Sequence, residues 1–227
     1  MEINIINYDE MMKYLFLNQM FFLLADIILT IFISNKSRWY QLHVLGNTIV
    51  TINIFKSTFL LYIDPLNSYK LLDNHFSSYF ILSMHIHHIL LFRLNLVDYF
   101  HHVLFVLFGI LPCIFWIKTN QINYGYIACS GIPGIFEYSL LTLMKNDIIT
   151  IDKQKKFNAL IYNYLRLPMC IYGASTNILM LRYNEIIRID NICLTIYINI
   201  LLFLNGTIFN QLTLESYYKQ KHKYISY

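Results

Sequence analysis

Five of the eight histidines of this chain fall between Phe80 and Pro112, in the run FILSMHIHHILLFRLNLVDYFHHVLFVLFGILP. They are His85, His87, His88, His101 and His102, and their neighbours are Leu, Ile and Phe rather than loop residues. An imidazole in so apolar a setting is costly unless it is paired, ligated or solvated by a cavity. Asp98 stands three and four residues before His101 and His102, so on a helix all three can share one face. A carboxylate bonded to one imidazole nitrogen fixes the tautomer and favours the protonated form, which is how a general acid/base is prepared. The plainer alternative has Asp98 capping a helix while the histidines bond to backbone at an interface. His85 and His88, three apart, share a face across the hairpin from that pair, and His87 points elsewhere.

Histidine boxes also raise metal chemistry. Membrane di-iron desaturases and hydroxylases draw their ligands from several HxxxH and HxxHH boxes. Here the first box reads HxHH and the second reads DxxHH, with Asp98 where a histidine is needed, and no third box follows. The expectation is no metal and no other cofactor. Cys113, Cys129, Cys170 and Cys193 lie inside apolar runs without CxxC spacing, so neither a disulfide framework nor a zinc site is indicated.

Other ionisable groups sit in apolar surroundings: Asp26, Lys56, Glu137 and Arg166. Each costs about 2.5–3.5 kcal/mol at the centre of a membrane helix, so they should face inward or snorkel. Lys56 is near enough to the end of its run to snorkel. Glu137 and Arg166 read as an interior pair, with Asn163 on the same face as Arg166 and Asn205 inside the last apolar run. The sequon at Asn205 is buried in that run, which argues against glycosylation.

What must position these groups is a set of membrane helices. The chain has 227 residues, 57% of them hydrophobic and 13% charged, with mean hydropathy +0.47; ordinary soluble domains are about 25% charged. Crossing the hydrocarbon core takes about 20 residues, and runs of that length recur. The spans predicted are Tyr14–Ile33, Tyr40–Ile63, Ser77–Leu94, Asp98–Ile117, Tyr124–Met144, Phe157–Leu181 and Ile192–Leu212. Asp64-Pro65 closes the second, Pro112 and Pro168 lie inside the fourth and sixth, and SGIPG at 130–134 interrupts the fifth. The third and fourth form an antiparallel hairpin. The fold class is thus an all-α polytopic bundle of about seven transmembrane helices.

Charge sets the expected orientation. Lys36, Arg38, Lys118, Lys145, Lys153, Lys155, Lys156, Lys219, Lys221 and Lys223 are counted on one side, ten in all, against five on the other: Lys13, Lys70, Arg93, Arg182 and Arg188. The positive-inside rule then puts the C-terminus in the cytosol. The net charge of +4 reads as topology rather than as a nucleic-acid surface. The N-terminus, MEINIINYDEMMK, lacks the basic start of a signal peptide.

The order of these signals resembles the TLC domain, shared by ceramide synthases, translocon-associated membrane proteins and several lipid-sensing or lipid-regulating proteins. Ser78-Tyr79-Phe80 precede Arg93 and Asp98, and His101-His102 open the next helix. Glu137, then Asn163 with Arg166, then Asn205 ahead of a basic tail complete the order. The resemblance implies a six-helix domain over residues 36–219, a first span in residues 1–35 and a basic cytosolic tail at 220–227. It also implies a lipid cavity and residence in the endoplasmic reticulum. His101 and His102 match the paired histidines that serve acyl transfer in ceramide synthases, but the downstream aspartate elements are missing: the stretch reads SGIPGIFEYSLLTLMK, with Glu137 its only acid. The reading favoured is a protein that binds or regulates lipids, with His101, His102 and Asp98 catalytic if it is an enzyme. His85, His88, Glu137, Asn163, Arg166 and Asn205 are its cavity polar residues. Partners would be a membrane lipid, with acyl-CoA or a sphingoid base for an acyltransferase, and self-association stays open. The alternatives are that acyltransferase and a proton-coupled carrier or channel; the absence of an inverted repeat weighs against the latter.

Overall fold

The computed structural model describes residues 8–71, 75–117, 119–183 and 191–222, all of it helix and turn without a strand. α1 (Tyr8–Phe32) carries Asp9 and Glu10 in its first turn, where carboxylates oppose the positive helix end. The Ser34 hydroxyl then accepts from the Lys36 N–H to start a single 3-10 turn, Asn35–Ser37, which leads into α2 (Arg38–Ile63). Pro65 cannot donate to continue α2, and the Asp64 carboxylate caps α3 (Pro65–Tyr69). α4 (Phe76–Leu91) turns back through Phe92–Asn95 into α5 (Leu96–His101). The Asn95 side chain accepts from the Val97 and Asp98 N–H groups while Asp98 accepts from the Asn95 N–H, a reciprocal capping box.

Three rods then run through wide, π-helical turns. His102–Ile110 joins α5 to α6 (Leu111–Trp116), and Ile127–Gly131 joins α7 (Gln121–Tyr126) to α8 (Ile132–Lys145). Tyr162–Arg166 joins α9 (Ile151–Ile161), capped by Thr150, to α10 (Leu167–Met180). Each wide turn ends two residues before a proline: Pro112, Pro133 or Pro168. Proline lacks the N–H and its ring collides with the carbonyl four residues back; widening the preceding turn relieves the collision without ending the helix. One carbonyl so released, that of Phe108, accepts from the Tyr197 hydroxyl at 3.2 Å. The interruption expected at SGIPG is therefore a wide turn in a continuous rod.

The last helix is α11 (Ile192–His222). Among the described residues five segments are long and apolar enough to cross a membrane: Tyr8–Phe32, Asn35–Ile63, Leu96–Trp116, Gln121–Lys145 and Ile192–His222. This is an all-α chain with the build of a multi-pass integral membrane protein. Two of the expected spans fall outside that set for physical reasons. α4 has only 16 residues, eleven of them buried, and packs against α1 and α2; at 1.5 Å per residue it reaches roughly 24 Å. The expected span Phe157–Leu181 lies in the rod 151–180, where Asn158, Asn163, Arg166 and Asn177 dilute the apolar run.

α1 packs into the same core as α2 and α4: Phe22 is fully buried among Leu42, Phe80 and Met84. Asp26, 2% exposed, pairs with Arg38 across the α1–α2 turn, and His87 Nε2 lies 3.5 Å from the same carboxylate. Lys56 stays exposed. α10 and α11 cross at Gly206, where an added Cβ would stand 2.7 Å from that of Cys170.

The α1–α2, α4–α5 and α8–α9 turns gather at one end with the C-terminal half of α11. Arg93, counted on the opposite side from Lys36 and Lys145, lies with them at this end, because the α4–α5 hairpin turns there. Lys118, Arg188, Lys223 and the N-terminal residues 1–7 lie outside the described residues.

Candidate functional site: a histidine-walled cavity

At that end a cavity of about 1010 Å³ opens between the rods. Five histidines line it: His43 from α2, His85 and His88 from α4, His101 at the end of α5 and His102 at the start of the wide turn after it. Nε2 of His102 lies 3.1 Å from Nδ1 of His88, so one ring donates to the other. The His85 ring stands 5.0 Å from His102 and 5.2 Å from His101, centre to centre. Trp39 stacks on His88 at 3.5 Å with 20° between the planes and meets His43 edge-on at 3.7 Å. Tyr138 packs on His43 at 4.1 Å. These contacts cover ring faces and leave nitrogens over: Nδ1 of His85 and Nδ1 of His102 are buried without a hydrogen-bond partner among the described residues. Buried polar atoms are normally satisfied by protein groups or ordered water.

The opposite wall holds the second cluster. Arg166, 6% exposed, donates from Nη1 to the Tyr162 hydroxyl at 2.6 Å and from Nη2 to Asn205 Oδ1 at 2.7 Å. Tyr162 in turn donates to Glu137, which also accepts from Asn158 Nδ2 at 3.4 Å. Arg166 Nη1 and Glu137 Oε2 are 3.8 Å apart, so the charges pair through a phenol. The guanidinium lies over the rings of Tyr162 and Phe209, at 4.7 and 5.2 Å. The wide turn Tyr162–Arg166 sets this up by placing both residues on the inner face.

The sequence-predicted residues divide. His85, His88, His101, His102, Glu137 and Arg166 line one cavity, and Asn205 sits behind Arg166. Asp98 reaches the lining, but its carboxylate accepts from the Asn95 N–H at 2.9 Å and makes no hydrogen bond to His101 or His102. Asn163 is half-buried and off the lining. His87 points away, toward Asp26. Among the described residues no group of three or more His, Cys, Asp or Glu is placed to hold a metal ion. All four cysteines are free thiols, with Cys129 and Cys170 Sγ atoms 3.9 Å apart.

Four residues of the site escaped the sequence reading: Trp39, His43, Tyr138 and Tyr162. Two had a signal. Trp39 and His43 are four apart in an apolar run, and Tyr162 precedes Arg166 by four, both one-face spacings. Tyr138 had none beyond its place beside Glu137.

No protein-family model matches this chain, and neither the curated proteins nor the solved structures contain a match to it. The histidine-walled cavity within a bundle of membrane-type helices is thus what any functional reading must rest on.

Proposed function

We propose that this is a seven-span membrane protein of TLC type that binds or regulates a membrane lipid, holding the polar head in the histidine-walled cavity. The observation that carries the reading is the cavity's flank. α5 buries none of its six residues, and Leu96, Val97, Tyr99 and Phe100 are exposed beside the histidines His101 and His102. On the α11 side Phe209, packed against the rings of His101 and Phe105, and Leu212 also line the cavity. A head can rest against imidazoles and Arg166 there while its chain stays in the bilayer. In the same reading α4 and the rod 151–180 also span, the C-terminus is cytosolic and the protein resides in the endoplasmic reticulum.

A second reading, N-acyl transfer from acyl-CoA to a sphingoid base, draws on the unpartnered Nδ1 of His102, which could accept a proton from an attacking amine. The Asp98 carboxylate, engaged in its helix cap, does not orient that ring, which favours binding over catalysis.

His101→Ala and His102→Ala separate the readings. For a binding site, mass spectrometry should find less lipid co-purifying with either variant, and the parent should turn nothing over. Acyl-CoA-dependent product formed by the parent and lost in either variant, typically by a factor of about 10²–10⁴, would overturn the proposal in favour of the enzyme. Variants that lose thermal stability yet retain their lipid would reduce the pair to a structural role.

A further inference from the structure

The cavity's charges are not balanced. Its lining carries the cations Lys36, Arg38, Arg93, Lys145, Lys155 and Arg166 against the acids Asp98 and Glu137. Three of the cations are matched: Lys36 by Asp147 at 3.2 Å, Arg38 by Asp26, and Arg166 by Glu137. Arg93, Lys145 and Lys155 have no acidic partner among the described residues. They come from the α4–α5 turn, the end of α8 and the start of α9, so they ring the mouth from separate elements. Lys155 is held in place, its Nζ donating to Ser216 Oγ at 2.8 Å. Below this ring the wall offers neutral and charged donors: imidazoles, and Arg166 with a buried Nε that lacks a partner.

We infer that the ligand is an amphiphile with a phosphate-bearing anionic head. The inference rests on the lipid-site reading above and names the head that site selects. Three cations without an ion-pair partner, against Asp98 as the one lining acid outside an ion pair, leave an excess of positive charge that exceeds what one carboxylate can match, since a single guanidinium fork already satisfies a carboxylate. A phosphate spreads its charge over several oxygens and can face donors from different helices at once. A choline head would bring a cation toward three like charges. Each basic residue near a membrane surface is worth about fivefold in attraction for an anionic head.

The test uses the full chain in neutral detergent and its own fluorescence. Of the two tryptophans, Trp39 lines the cavity and Trp116 is 58% exposed on the outside of α6, so Trp116→Phe leaves one reporter in the site. Phosphatidic acid and phosphatidylcholine, each brominated near the head of the acyl chain, are titrated as contact quenchers. Phosphatidic acid should quench Trp39 at a concentration at least about tenfold lower. Combining Arg93→Gln, Lys145→Gln and Lys155→Gln should remove most of that difference, a loss of up to roughly a hundredfold at about fivefold per charge. Equal quenching by both lipids, unaltered by the triple variant, would overturn the anionic head and leave the lipid site standing. No quenching by either would overturn the lipid site itself. Relief of quenching by unlabelled oleoyl-CoA supports the phosphate chemistry and assigns it a soluble source. Relief by inorganic phosphate at lipid concentrations would overturn the need for a chain.

Discussion

Replacing Glu137 by Gln tests whether the cluster opposite the histidines is one unit. Arg166 is 6% exposed and keeps two hydrogen bonds and two ring contacts when Glu137 loses its charge. What disappears is the charge pairing at 3.8 Å and the charged acceptor of the Tyr162 hydroxyl. A hydrogen bond to a charged group is worth about 1.5–3 kcal/mol, and breaking a buried pair outright costs about 3–5 kcal/mol. The cation keeps Tyr162 and Asn205, so the lower range applies: Glu137→Gln should cost about 2 kcal/mol. Arg166→Gln should cost more, about 3 kcal/mol or above, since it strips Asn205 and Tyr162 of a donor and leaves the carboxylate half-buried. The double variant should recover about 1–2 kcal/mol of the summed losses. Titrating the purified protein into sodium dodecyl sulphate from mild detergent, with helicity followed by circular dichroism, measures all four states. Losses that add to within about 0.5 kcal/mol would refute the idea that the phenol relays the pairing.

Two further outcomes follow from the packing and the charge. Gly173→Ala places a methyl against the fully buried ring of Tyr124, which its hydrogen bond to Tyr62 at 2.5 Å keeps from swinging aside. It should cost about 1–3 kcal/mol in the same unfolding titration, while Gly125→Ala, with nothing within 4 Å, should be neutral or better. A tag fused after Tyr227 should be removed by protease added to sealed microsomes, because the end of α11 lies with Lys36, Arg93, Lys145 and Lys155 at one end of the bundle; a protected tag would invert the orientation.

Much of the fold could be read in advance because the bilayer leaves so few options. Runs such as Tyr14–Ile33 and Ile192–Leu212 had to be helices, since a lipid-exposed backbone must satisfy itself. Asp64-Pro65 stops α2 for a local reason that needs no tertiary context. The pairing of Glu137 with Arg166 was legible by cost alone, since neither could stand unpaired in apolar surroundings. Asp98 shows where such reasoning fails. Its spacing to His101 and His102 fits a catalytic face, and its spacing to Asn95 fits a capping box equally well. A capping box lies within one turn of chain, whereas an Asp98–imidazole bond would compete with a helix start that has four N–H groups to satisfy. The local claim prevails.

The three prolines were legible as residues but not as geometry. Pro112, Pro133 and Pro168 signal a break or kink in any helix read by propensity. In a bilayer a break is dearer than a distortion, because every released carbonyl sits away from water. The chain therefore widens the turn before each proline, and the distortion rotates the residues there relative to a regular helix. Those turns contain His102, the Cys129-Ser130 pair and Tyr162 with Arg166, all on the cavity lining. Asn163, three residues before Arg166, stands off the lining, while Tyr162, four residues before it, takes the place beside the guanidinium. The prolines thus help to set which side chains the site presents, and they do so from positions that touch no part of it.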